Sequence, residues 1–168
     1  KTRIGGKQPA KEARLAATEP SSGMTRLTWL DRSGKVLGNI GDAGELTSPA
    51  FSPNEDRVAV ALNDSQTDSR DLWILSETPK QRLRLTSEPV DDLNGLWTPD
   101  GKWIVYTSER NGVRSLYRRP ADGTGAAEPL LVSSEPMNAE DISRDGRLLI
   151  FNVRNKPDDI PGLAILSL

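Results

Sequence analysis

The sequence predicts an all-β chain, a β-propeller of four-stranded antiparallel blades, and three observations predict it. A strand-turn-strand unit occurs three times, as Phe51-Ser52-Pro53-Asn54-Glu55-Asp56-Arg57-Val58-Ala59-Val60, Trp97-Thr98-Pro99-Asp100-Gly101-Lys102-Trp103-Ile104-Val105-Tyr106 and Ile142-Ser143-Arg144-Asp145-Gly146-Arg147-Leu148-Leu149-Ile150-Phe151. Separate landmarks agree on the spacing: Phe51, Trp97 and Ile142 lie 46 and 45 positions apart, and Leu72, Leu116 and Leu163 lie 44 and 47 apart. Each period of about 45 residues also holds four short apolar segments divided by turn residues. A β-sandwich strings strands at similar intervals but has no reason to repeat every four.

The elements follow in order. Residues 1–13, rich in Lys, Gly and Gln without periodicity, read as a linker or disordered end. Residues 14–41 read as a partial blade, strands b to d, with a weak strand at Arg14 to Thr18 and a hairpin from Leu27 to Ile40 turning at Asp31 to Lys35. Residues 42–89 form a full blade, whose outer strand Arg82-Leu83-Arg84-Leu85-Thr86 alternates with period two. Residues 90–136 form a second full blade, and 137–168 a partial one with strands a to c. Inside the repeated hairpin, Pro99 fixes φ, Asp100 bonds the backbone ahead of it and Gly101 tolerates positive φ. Glu55-Asp56 in place of Gly-Lys, and Arg144 in place of Pro, are expected to loosen the first and third turns.

Composition removes whole classes of chemistry. With no Cys and no His, the chain has no disulfide, Cys/His zinc site, Ser-His-Asp triad or Cys-His dyad of its own. Twenty-two basic against 24 acidic residues give a net charge of -2, which argues against a nucleic-acid partner. No apolar run approaches the ~20 residues of a membrane span, and no direct membrane contact is expected. The chain begins at Lys1 without an apolar leader, which suggests excision from a longer polypeptide. It holds about three and a half blades against the roughly four to eight of closed propellers. An open fragment of a ring of about six to eight blades is expected, with the remaining blades of the parent as partners; closure of four blades through residues 2–5 is the alternative.

Candidate binding residues gather on one predicted face. Asp91, Asp92 and Asn94 precede one inner strand in a loop, and Glu140 and Asp141 stand one blade on, where they would rim the central channel. Arg70, Arg110 and Asn111 lie in loops between strands b and c on the same face. The mixed charge suits a protein or peptide partner, or a small polar ligand in the channel. Loop carboxylates of this kind can hold Ca²⁺ but more commonly cap backbone N–H groups, so no metal and no cofactor is assigned. No carboxylate pair stands out for glycoside hydrolysis, and neither Gly34-Lys35 nor Gly101-Lys102 has phosphate-loop spacing. Arg82, Arg84, Arg118 and Arg119 read as solvated strand faces, and Trp29, Trp73, Trp97 and Trp103 as core between blades.

Phe51-Ser52-Pro53-Asn54, Trp97-Thr98-Pro99-Asp100-Gly101-Lys102 and Asp145-Gly146-Arg147 resemble the bacterial TolB-type propeller repeat, whose core reads aromatic-Ser-Pro-Asp-Gly-Lys. Leu27 to Lys35, Ser48 to Pro53, Arg70 to Leu75 and Arg84-Leu85-Thr86 further resemble the extracytoplasmic propeller of bacterial transmembrane serine/threonine kinases. The resemblance implies a non-catalytic binding or sensing scaffold in a periplasmic or extracytoplasmic setting. The absence of Cys is equally compatible with cytoplasm. Similar blades form the gating domain of prolyl-oligopeptidase-type hydrolases, the alternative function. No kinase catalytic motif is present in the chain.

Overall fold

The computed structural model describes residues 24–77, 80–154 and 162–168 in full, and 14–18 by backbone alone. The expected linker at 1–13 and the loop at 19–23 lie outside the described residues, as do 78–79 of one turn and 155–161 of the last loop. The chain divides into two compact units between Glu45 and Leu46.

The first unit is a three-stranded antiparallel sheet in the order β1 (Arg14–Thr18), β2 (Thr25–Leu30), β3 (Val36–Gly44). Its hairpin closes on Asp31, whose Oδ1 accepts from the backbone N–H groups of Ser33 and Lys35 at 2.9 and 3.0 Å, while Gly34 takes φ 86°. Leu27 and Ile40 are buried. Strand β3 outruns the boundary expected at residue 41, because Thr25 pairs with Gly44 beyond a bulge and its hydroxyl donates to the Gly44 carbonyl at 3.0 Å.

The second unit holds two complete blades and a three-stranded one. The first comprises β4 (Leu46–Phe51), β5 (Arg57–Asp64), β6 (Ser69–Glu77) and β7 (Lys80–Arg84). The next comprises β8 (Asp92–Trp97), β9 (Trp103–Arg110), β10 (Val113–Pro120) and β11 (Glu128–Leu131). β12 (Met137–Ile142), β13 (Leu148–Val153) and β14 (Gly162–Ser167) complete it. The inner strands β4, β8 and β12 lie side by side.

Period-two alternation packs the blades. On β9, Ile104 and Tyr106 face back into a cluster with Ala59, Ala61, Leu72 and Ile74 of the preceding blade. Val105 faces forward into a second cluster with Met137, Ala139, Leu149 and Phe151. The two faces are tied by polar bonds as well: Thr107 Oγ1 accepts from the backbone N–H of Ala139 at 3.0 Å, and Trp97 Nε1 donates to the Ala50 carbonyl at 3.1 Å. On the outer side of the last blade Leu163 and Ile165 remain 76% and 66% exposed.

The three repeated hairpins share one construction. The backbone N–H groups of Ser52, Thr98 and Ser143 donate to the carbonyls of Arg57, Trp103 and Leu148 at 2.9, 3.0 and 2.9 Å. The hydroxyls of the same three residues accept from the backbone N–H groups of Arg57, Trp103 and Leu148, each at 3.0 Å. All three turns therefore keep their hydrogen bonds, and the expected loosening is corrected. The cost at the first turn is conformational instead: Glu55 takes φ 60° where Gly101 and Gly146 take 69° and 73°. The tryptophan expectation also needs correction. Trp97 is buried, but Trp29, Trp73 and Trp103 are only half-buried. Arg82 lies 4.2 Å over Trp73 and Arg118 4.4 Å over Trp103, so these rings face outward under arginine caps.

Candidate functional site

The residues singled out from the sequence separate into three places. At the end of the blades where strands b pass to c, Arg70 and Asp91 form a built pair: the backbone N–H and Nη1 of Arg70 donate to the two Asp91 carboxylate oxygens at 2.9 and 3.2 Å. The Asp91 carbonyl in turn accepts from the backbone N–H of Glu109 at 2.8 Å. Arg110 lies 4.2 Å over the Tyr117 ring, donates from Nε to Ser108 Oγ at 3.2 Å and places Nη2 3.8 Å from Glu88 Oε1. Asn111 is exposed at the turn tip, with φ 54° followed by Gly112 at 74°, a turn type that favours Asn-Gly. These residues make the mixed-charge rim, to which the structure adds Glu88.

Asp92 is not a rim residue. β8 begins at Asp92, and its pairing with Ser108 turns the side chain inward, where it is fully buried. Neither of its carboxylate oxygens has a hydrogen-bond partner of good geometry. Burial pushes its pKa up to about 6, against the nearby Ser108 and Thr86 hydroxyls and the Arg110 charge, which favour the anion. Tyr106 OH, Arg110 Nη2 and Arg119 Nε are also buried without hydrogen-bond partners. Burial and the Asp92 charge hold the Tyr106 hydroxyl well above its ordinary range. Burial raises Glu88 too, but the backbone N–H groups at Ser87 and Glu88, with Arg110 and Arg119, outweigh it and leave its pKa lowered.

Asn94 and Glu140 lie in a different place again. The sequence places both in loops, together with Asp141, yet all three sit inside inner strands, because the ladders of β8 and β12 start earlier than expected. Asn94 takes φ 52° in a bulge of β8, and Ser48 takes φ 51° in the matching bulge of β4, 46 residues earlier. The Ser48 hydroxyl donates to Asn94 Oδ1 at 3.0 Å. β12 bulges at Glu140. Ser48, Asn94 and Glu140 line a cleft of about 360 Å³ between the three inner strands. Asp141 is exposed and accepts from the backbone N–H of Ile142 at 2.8 Å.

Ser48 escapes notice in the sequence because Ser-Pro reads as an ordinary strand start; its 46-residue offset from Asn94 is the signal that finds it. A second polar network is equally hidden. Asp71 is fully buried and pairs with Arg84, which also reaches Asp64 at 3.4 Å and donates to the Thr86 carbonyl at 3.1 Å. Burial raises the Asp71 pKa, while Arg84 and Thr86 pull it down. Arg84 is therefore a structural counter-ion and not a merely solvated face. A larger groove of about 480 Å³ lies at the opposite end, among Thr98, Asp100, Trp103, Arg118 and Asp145. Its acids are committed to the turns: Asp100 accepts from Thr98 and Lys102, and Asp145 from Ser143 and Arg147. Among the described residues, no three acidic side chains are grouped to hold a metal ion.

Antiparallel four-stranded blades with inner strands side by side define a β-propeller domain. Residues 27–162 match the family described as TolB beta propeller domain, and the chain belongs to that family. It superposes on the structure of putative TolB from Agrobacterium tumefaciens with a TM-score of 0.77 and 17% identity, over 94% of this chain and 58% of that one. For TolB from Acinetobacter baumannii the TM-score is 0.72 at 19% identity, over 93% of this chain and 38% of that one. At these identities the likeness concerns the fold. In sequence, 94 residues are 32% identical to dipeptidyl-peptidase 5 of Aspergillus fumigatus, covering 53% of this chain and 13% of that peptidase.

Proposed function

We propose that the chain is a non-catalytic binding scaffold that receives a protein or peptide partner on the inner-strand cleft and the adjoining rim. The observation that carries this reading is the Ser48 and Asn94 pair. Two non-glycine residues hold left-handed backbone at matching positions of successive blades and line one cleft. Left-handed backbone costs a non-glycine residue ~1 kcal/mol or more, a strain that glycine at either position would relieve. The rim adds both signs of charge through Arg70, Asp91, Arg110 and Glu88. A mixed surface of this kind suits a polar peptide better than a nucleic acid. With neither His nor Cys in the chain, the usual nucleophile-base pairs would have to come from elsewhere.

Within this reading the chain is the sensor region of a TolB-like protein or receptor-type kinase, in an extracytoplasmic setting. The second reading is a gating domain for a serine hydrolase, favoured by the 32% identity to a dipeptidyl-peptidase. The parent reading frame separates the two: a kinase domain and an apolar helix upstream support the first, and a downstream hydrolase domain with Gly-x-Ser-x-Gly overturns it. The scaffold itself is tested by chemical-shift mapping of the ¹⁵N-labelled chain against short peptides of differing charge. Shifts confined to the inner strands and rim are expected; shifts confined to the Asp100 and Asp145 end would contradict it.

A further inference from the structure

Among the described residues, the inner-strand cleft has one charged side chain on its wall, and it is an anion. Glu140 is exposed, and one of its carboxylate oxygens accepts from Asn152 Nδ2. The Asn152 Oδ1 accepts from Asn138 Nδ2 at 2.9 Å, so two amides in series aim the carboxylate and leave its second oxygen open. Across the cleft, Asn94 uses Oδ1 to accept from Ser48 and keeps its Nδ2 as a donor. Pro49, Ala50 and Leu96 supply the apolar wall between these groups. A Cβ at Gly95 would stand 3.1 Å from Leu72 Cδ2, a tight contact, so the strand lies close to the core there while Asn94 lines the cleft.

We infer that this cleft binds the cationic side chain of a lysine or arginine carried by a peptide partner. The apolar stem lies along Pro49 and Leu96, the charged head meets Glu140, and Asn94 Nδ2 donates to a carbonyl of the bound peptide. Three features converge on that class. The single charge is negative, an anionic ligand would face Glu140 without a compensating cation on the wall, and an apolar side chain would leave both Glu140 and Asn94 unanswered. Long basic side chains are suited to such a site because they bury methylenes while keeping the charge hydrated or paired. The cleft volume of about 360 Å³ falls within the roughly 300 to 1,000 Å³ of small-ligand pockets. This inference rests on the scaffold reading and names the ligand class of that same site.

The test uses the ¹⁵N-labelled 168-residue chain titrated with acetyl-Gly-Lys-Gly-amide, and with the Glu and Leu counterparts of that peptide. Trp97 is a built-in reporter, because its indole N–H is bonded to the Ala50 carbonyl on the cleft wall. The lysine peptide is expected to shift the Trp97 indole and Asn94 amide resonances, and Glu140→Gln to weaken it at least tenfold. Glu140→Lys is expected to reverse the preference in favour of the glutamate peptide. Equal affinity in the Glu140→Gln chain, or no shift with lysine peptide, overturns the cation site. If the glutamate or leucine peptide still moves rim resonances, the scaffold reading survives that failure; if no peptide moves any, both fall.

Discussion

The indole nitrogen of Trp97 donates to the carbonyl of Ala50, 3.1 Å away and 47 residues earlier. The bond joins the inner strand of one blade to that of the next, and Arg57 from the earlier blade lies 4.6 Å over the same ring. The most motif-like residue of the chain is thus a fastener between blades. Trp97→Phe removes the donor and strands a carbonyl at a packed interface. The expected loss is ~2 kcal/mol, from an orphaned polar group plus lost ring contact. Urea unfolding followed by circular dichroism checks it; an unchanged midpoint would contradict the role.

Asp92 gives the fold a pH dependence of unusual sign. Burial raises its folded pKa to about 6 from 3.8, so the folded chain binds this proton more tightly than the unfolded one. The contribution to stability is fully present below the unfolded value and is lost as pH rises through about 6. A rise of that size corresponds to about 3 kcal/mol. Asp71, also raised by burial, acts in the same direction. The lowered groups, Glu88, Asp31, Asp100, Asp122 and Asp145, oppose it only as pH falls through their own lower values. Between about pH 5 and 7, wild-type stability should fall with rising pH, and Asp92→Asn should flatten most of that slope while raising stability at the upper end. Denaturant midpoints at the two pH values, wild type against variant, decide it.

Glu55 occupies the left-handed position that glycine fills in the other two hairpins. Glu55→Gly should therefore stabilise the chain by up to ~1 kcal/mol. Gly101→Ala should do the opposite by a similar amount. A Cβ at Gly101 would meet Pro53 Cδ only at 3.7 Å, an ordinary contact, so the cost there is the backbone angle and not crowding. Thermal melts of the two variants check the pair, and the same sign for both would contradict the assignment.

The repeat is legible because its information is local. Ser52, Thr98 and Ser143 lie only five residues from those whose backbone their hydroxyls bond, so the hairpins show in the sequence as short motifs. The candidate site depends on register, which short motifs do not carry. Asp91 and Asp92 are chemically identical neighbours, and only the pairing of Asp92 with Ser108 sends one inward while the other meets Arg70. Likewise Ser48 reads as an ordinary strand start and Asn94 as a loop residue, until matching bulges inside β4 and β8 bring the two together. Arg84 reads as one arm of an alternating surface strand, and its buried partner Asp71 lies 13 residues away.

In the proposed reading the hairpin turns carry structure and the inner-strand cleft carries recognition, and two substitutions separate them. Asp100 caps a hairpin turn, while Glu140 faces the inner cleft and takes part in no turn bond. The direct measurement is a paired comparison of Asp100→Ala and Glu140→Gln, by thermal melting and by titration with the lysine peptide. The account predicts that Asp100→Ala lowers the melting temperature and leaves binding unchanged, and that Glu140→Gln weakens binding and leaves the melt unchanged. Loss of binding in Asp100→Ala with full binding in Glu140→Gln would contradict it.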